Sequence, residues 1–194
     1  MFVIIVSEGD FIMEFMQTEH LNIRRMRPED WSDLFKYLSD PESQKYQNKG
    51  AYTKKECIDE IYQMSQFNIN WTVCLKSNNM AIGFITLQQV EPMNSFTFKL
   101  HFNFDENYLV NGFVKEANER MIQHAFEELG AHRIIGLSCA SDTLTNKEYG
   151  KLQMRKEALF QKAFTYRMNK FNKPIFWDIC LFAILKDEWV QRIR

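Results

Sequence analysis

The chain has 194 residues, 45% hydrophobic and 25% charged, with a formal net charge of −1 at pH 7. That length suits one domain with a sizeable core, and that hydrophobic content excludes an intrinsically disordered chain. A charge balance so near zero excludes recruitment of nucleic acid or an anionic membrane by net charge, so neither is expected as a partner.

Met1 to Val6 is apolar, but Ser7, Glu8, Gly9 and Asp10 interrupt it and no basic residue precedes it. The run is neither a membrane span nor a signal peptide. Residues 1–16 form a leader of uncertain order: a disordered arm, an added strand, or translated sequence upstream of a start at Met13 or Met16. The domain proper is expected over 17–194. Leu21 to Met26 reads as a strand. Pro28 then introduces a helix near Glu29 to Ser39, with Trp31, Leu34, Phe35 and Leu38 at helical spacing, ended by Asp40-Pro41. A second helix spans about Lys54 to Phe67, where Thr53 and Glu56 make a capping box.

Three strands follow: Trp71 to Lys76, Ala81 to Gln89, and Phe96 to Phe104. In the third, Phe98, Leu100, Phe102 and Phe104 share one face, and Lys99, His101 and Asn103 the other. The first face is core; the second is free to line a cleft. A short loop with Gly112 then opens a helix over Asn111 to Leu129, in which Phe113, Ala117, Met121, Ala125 and Leu129 mark a buried stripe and Gly130 stops the turn. Free N–H groups and a positive dipole end make such a helix opening a cradle for phosphate. A strand over Arg133 to Ala140, a helix over Thr143 to Met154, and strands over Glu157 to Arg167 and Ile175 to Leu185 complete a single α/β domain.

Cys57, Cys74, Cys139 and Cys180 have no metal-ligand spacing, and His20, His101, His124 and His132 form no metal motif, so no metal is expected. Dispersed cysteines in apolar runs read as buried thiols in a reducing compartment, the cytoplasm.

TEHLNIRRMRPED at 18–30, LSDPES at 38–43, AIGFITL at 81–87, AFEELGAHRI at 125–134 and LFAILKDEW at 181–189 resemble, in order and spacing, the GNAT-superfamily N-acetyltransferases. The resemblance is to the subgroup that includes the Rim-type ribosomal-protein acetyltransferases, and it runs from Thr18 to the C-terminus. It implies an α/β (α+β) fold with a central mixed, mostly antiparallel twisted sheet of about seven strands flanked by helices. It implies acetyl-CoA as co-substrate and direct acetyl transfer to a primary amine, on a protein N-terminus or a small molecule. A homodimer is left open.

The family's pyrophosphate loop, Gln/Arg-x-x-Gly-x-Gly/Ala, falls on Leu109, Val110, Asn111, Gly112, Phe113 and Val114. Gly112 is kept, but Val110 and Val114 replace small residues, and a β-branched side chain tolerates positive φ poorly. Phe102, Asn103 and Phe104 fall where the family pairs backbone groups with pantetheine. Asp142, Thr145 and Tyr149 fall in the register Asn-x-x-Ala/Ser-x-x-x-Tyr-x-x-x-Gly-Phe, with Gln153-Met154 replacing Gly-Phe. The resemblance makes Tyr149 the acid for the departing thiolate. The family's Glu base falls on Lys99, so His101, on the same face, is the candidate base. Lys99 would disfavour a cationic amine but suit an anionic group on the substrate. Cys139 has no identifiable activating partner; Lys45, Lys49, Lys54 and Lys55 read as a solvated basic surface, and the four tryptophans as packing. The departures at Val110, Val114, Lys99 and Gln153 motivate an alternative, a non-catalytic module that senses CoA or binds a protein.

Overall fold

The computed structural model describes residues 15–47, 49–168 and 171–193. Leader residues 1–14 lie outside the described residues, whereas Phe15–Gln17 forms β1, paired antiparallel with β2 (Leu21–Arg25). After β2 a 3-10 turn, Pro28–Asp30, leads into α1 (Trp31–Leu38). The helix α2 (Lys54–Ser65) starts with the expected capping box: the Glu56 N–H donates to Thr53 Oγ1, and the Thr53 N–H donates to the Glu56 carboxylate.

The remaining elements are β3 (Asn70–Leu75), β4 (Ala81–Gln89), β5 (Thr97–Phe104), α3 (Phe113–Glu127), β6 (Arg133–Cys139), α4 (Thr143–Lys151), β7 (Arg155–Met168), β8 (Pro174–Leu185) and α5 (Lys186–Ile193). They make one open sheet of eight strands in the order β1-β2-β3-β4-β5-β6-β8-β7. Every pairing is antiparallel except β5–β6. The strand count exceeds the expected seven through β1. Likewise α5, which the sequence pattern left out, buries Trp189 against Phe126, with ring centroids 6.3 Å apart.

Helices cover the sheet on both faces. On one face α3 and α4 pack on the larger core, which takes Phe98, Leu100, Phe102 and Phe104 from β5. On the other, α1 and α2 cover Cys74, Ala81 and Phe84. The buried stripe of α3 is not the one expected. Ala117, Met121 and Ala125 are buried, but Phe113 is half-buried and Leu129 exposed, while Val114, Ile122 and Phe126 complete the stripe. Steps of four residues at 3.6 per turn drift by about 40° each, so no four-residue series stays on one face for four steps.

The register of β5 positions the site. It pairs with β4 along its length, but with β6 only at Thr97↔Arg133, Phe98↔Ile134 and Lys99↔Ile135. Beyond Lys99 the two parallel strands part, and β6 continues against β8 alone.

Candidate active site

A single side chain sits at the point where β5 and β6 separate. Tyr149 of α4 is 1% exposed, stacks on Phe182 with centroids 5.1 Å apart, and meets Phe102 at 5.0 Å. Its hydroxyl donates to the Leu100 carbonyl at 3.0 Å. Gly136 on β6 makes room for it: a Cβ there would stand 2.3 Å from the ring. The hydroxyl is therefore held at the sheet, and burial raises its pKa above the usual phenol value, with Asp142 adding to the rise.

Above this wedge, β5 offers backbone groups. The Asp105 N–H donates to Ile82 on β4, while Leu100 presents its carbonyl to Tyr149 on the opposite side. Strand alternation then turns the main-chain groups of Phe102 and Phe104 toward the gap, where the register pairs neither with β6. Asn103 points its backbone the other way: its carbonyl accepts from the Tyr37 hydroxyl at 3.1 Å, and its buried side chain donates to Gln44.

The gap leads to the start of α3. Leu109, Val110 and Asn111 belong to a 3-10 turn, Glu106–Asn111, and Gly112 follows with φ of 79°. Gly112 alone in this loop needs positive φ; Val114 lies within α3, fully buried in the core. The expected conflict between β-branching and loop geometry therefore does not arise. Gly112 makes no side-chain cap, so the first N–H groups of a 15-residue helix point outward with the positive dipole end. His20 braces this end, its N–H donating to Glu116 at 2.8 Å and its ring lying 5.7 Å from that of Phe113. Backbone donors at α3 and a free strand edge on β5 suit the phosphates and the amide-bearing arm of a CoA molecule.

Two cavities flank the gap. One, of about 140 Å³, is lined by Phe102, Asn103, Phe104, Leu109 and four carboxylate residues, Glu42, Glu106, Asp142 and Glu148. Burial, then Asp40, Asp142, Asp105 and Glu42, raise the pKa of Glu106. The second, of about 350 Å³, lies over Lys99, His101, Leu137 and Ile179. Tyr46, Gln47, Phe102, Asp142 and Thr145 line both, so the cavities form one groove. Asp142 caps α4, accepting from the Thr145 N–H at 3.0 Å, which explains why a carboxylate serves where the family has an amide. His101 lies half-buried at the floor; burial, then the Lys99 charge, lowers its pKa to about 4.

Of the expected site residues, His101, Phe102, Asn103, Phe104, Leu109, Asp142 and Thr145 line one groove, whereas Tyr149 lies buried beside it and Val110, Asn111, Gly112, Phe113 and Val114 belong to the turn and helix at its α3 end, outside its lining. The sequence missed Tyr46, Gln47, Leu137, Phe164, Trp177 and Ile179. Trp177, read as packing, instead meets Tyr46 edge-on at 5.5 Å in the groove wall. Lys45, Lys49, Lys54 and Lys55 line neither cavity. All four cysteines are buried free thiols. Among the described residues, no cluster of three His, Cys, Asp or Glu could hold a metal, and no helix is long and apolar enough to cross a membrane.

Comparison with known proteins agrees with this geometry. Residues 20–154 match the family model described as the acetyltransferase (GNAT) domain. An uncharacterised N-acetyltransferase, YnaD of Bacillus subtilis (strain 168), is 27% identical over 173 residues, covering 89% of this chain and 97% of the relative. A GNAT-family acetyltransferase structure from Bacillus anthracis has a TM-score of 0.81 at 26% identity, covering 90% of this chain and 99% of that one. The ribosomal-protein-S5-alanine acetyltransferase of Vibrio fischeri shares the fold, with a TM-score of 0.70 at 17% identity and coverage of 90% and 98%. With the domain model matched from β2 to the end of α4, on a sheet that forks at Tyr149, the chain belongs to the GNAT acetyltransferases and is an acyltransferase.

Proposed function

We propose that the protein transfers an acetyl group directly from acetyl-CoA to a primary amine in a ternary complex. The observation that carries this reading is the fork. It leaves the Phe102 and Phe104 main-chain groups unpaired with β6, on a path from the uncapped start of α3 to a cleft floored by His101 and Lys99. Bound acetyl-CoA supplies a thioester whose carbonyl the amine attacks: the C–N bond forms, the C–S bond breaks, and CoA leaves as a thiolate that takes its proton from water. In this reading the α3 N–H groups hold phosphate, and a β5 N–H polarises the thioester oxygen as negative charge develops there.

His101 is neutral at pH 7, because its pKa is lowered to about 4. As a neutral imidazole it can accept the proton of the attacking amine, directly or through water, although the same lowered pKa makes it a weak base. The nearby Lys99 ammonium lowers the amine's own pKa and so raises its neutral, nucleophilic fraction. Tyr149 we assign as a positioning residue. A phenol whose pKa is raised by burial, and whose proton is engaged by Leu100, is a poor acid for a thiolate. The buried thiols suit a reducing cytoplasm.

Calorimetry with acetyl-CoA, followed by CoA release with a panel of amines and N-terminal peptides, tests the reading. Absence of acetyl-CoA binding defeats it.

A further inference from the structure

Resting on that reading, the second cavity narrows the class of amine. We propose that the acceptor is an apolar amine bearing a carboxylate, the chemistry of an apolar α-amino acid, with its carboxylate paired to Lys99 and its side chain against Leu137, Phe164, Trp177 and Ile179.

Lys99 carries a charge that no neighbouring acid among the described residues offsets by a salt bridge. It is half-buried in a cavity of about 350 Å³. Its neighbour on the same strand face, His101, is neutral at pH 7. An ammonium with no counter-charge beside a cavity offers an arriving carboxylate a charge-assisted partner.

The groove also divides its acidic residues unevenly. Glu42, Glu106 and Glu148 line the smaller cavity only. The one carboxylate shared with the larger cavity, Asp142, is already engaged as the cap of α4. Polycationic amines such as polyamines and aminoglycosides therefore meet Lys99 with Asp142 as the single acid among the described residues lining that cavity. One side of the wall is apolar: Phe164 and Trp177 stand opposite each other in the β7–β8 register, with Leu137 and Ile179 in the same lining, whereas Tyr46, Gln47, Ser138 and Thr145 supply polar groups elsewhere. Such a surface fits an aromatic or aliphatic body. A single ammonium, with no arginine among the described residues lining either cavity, matches a monoanionic carboxylate better than a dianionic phosphate.

The test compares near-isosteric amines in an assay of CoA release from acetyl-CoA: phenylalanine, phenylalaninamide and phenethylamine, together with leucine, the other apolar amino acids and spermidine. The expected result is a kcat/KM for the best apolar amino acid at least on the order of tenfold above its amide and its decarboxylated analogue. Lys99→Gln should abolish that preference while leaving the melting temperature and acetyl-CoA affinity unchanged. Equal or better use of the amide, phenethylamine or spermidine overturns the proposal, as does a preference that survives Lys99→Gln. If acetyl-CoA binds by calorimetry but no apolar amino acid is acetylated, this inference falls and the acetyltransferase reading stands. If acetyl-CoA does not bind, both fall.

Discussion

Gly136→Ala is a one-methyl test of the wedge that parts β5 from β6. The added Cβ would lie 2.3 Å and 2.4 Å from two carbons of the Tyr149 ring, and 2.8 Å from its oxygen. Real Cβ contacts are never so short, so the backbone or the ring must move. The ring is not a flexible tip. It is 1% exposed, stacked on Phe182, in contact with Phe102 and bonded to Leu100. Overpacking of this kind costs about 1–3 kcal/mol, and loss of the buried hydroxyl bond about 1 more. The expected destabilisation is roughly 2–4 kcal/mol. With a urea m-value of roughly 2 kcal/mol/M, the unfolding midpoint falls by about 1–2 M. In a Tyr149→Leu background the obstacle is gone, so the same substitution should cost less than about 1 kcal/mol. A Gly136→Ala protein within about 0.5 kcal/mol of the parent refutes the wedge, as does an equal cost in both backgrounds.

Four further expectations concern single residues. Tyr149→Phe should lose about 1–2 kcal/mol in urea unfolding, because the Leu100 carbonyl is left unsatisfied, yet keep most of its kcat; a loss of kcat beyond about 100-fold with the fold intact restores the acid role instead. Gln153 holds φ of 57° just after α4, so Gln153→Gly should raise stability by about 1 kcal/mol, and no gain in melting temperature refutes the strain. Glu106→Gln should tighten acetyl-CoA roughly 3- to 10-fold by calorimetry, with the parent's affinity rising as pH falls and Glu106 protonates; unchanged affinity places the phosphates elsewhere. For His101 the folded pKa of about 4 lies below the ordinary 6.5, so the unfolded chain binds its proton first. Its stabilising effect is whole above pH 6.5 and is lost as pH falls through 4, so His101→Gln should flatten stability over that window.

What the sequence disclosed follows from what each signal measures. Period-two alternation placed Phe98, Leu100, Phe102 and Phe104 in the core correctly, because strand geometry leaves no other face. The capping box at Thr53 was legible because it is local. An added strand was one of three readings of residues 1–16, and the pattern could not choose it for β1, since three residues carry no period and only pairing with β2 defines them. For α5, Asp187 and Glu188 in the first turn were the available signal. In the loop, positive φ is needed at Gly112 and Val114 is an ordinary helical core residue, a backbone distinction that residue types alone do not carry. Phe164 and Trp177 escaped because an aromatic residue in a strand reads as packing until the register sets it beside a cavity.

Net charge was the least informative number in the sequence, and the groove shows why. A total of −1 describes a chain with no field of its own, yet four carboxylate residues line one end of the groove while Lys99 lines the other without an acidic partner among the described residues. Fields inside a partly closed groove are set by the charges within a Debye length of about 8–10 Å, not by the sum over the surface. Alternation along β5 fixes which end each charge occupies. A shift of one residue in the β4–β5 register would carry Lys99 and His101 to the opposite face of the sheet, into the core that Phe98 and Leu100 fill. The polarity of the groove is thus locked to the same packing that buries the phenylalanines, because the register that buries them also fixes the face from which Lys99 and His101 project.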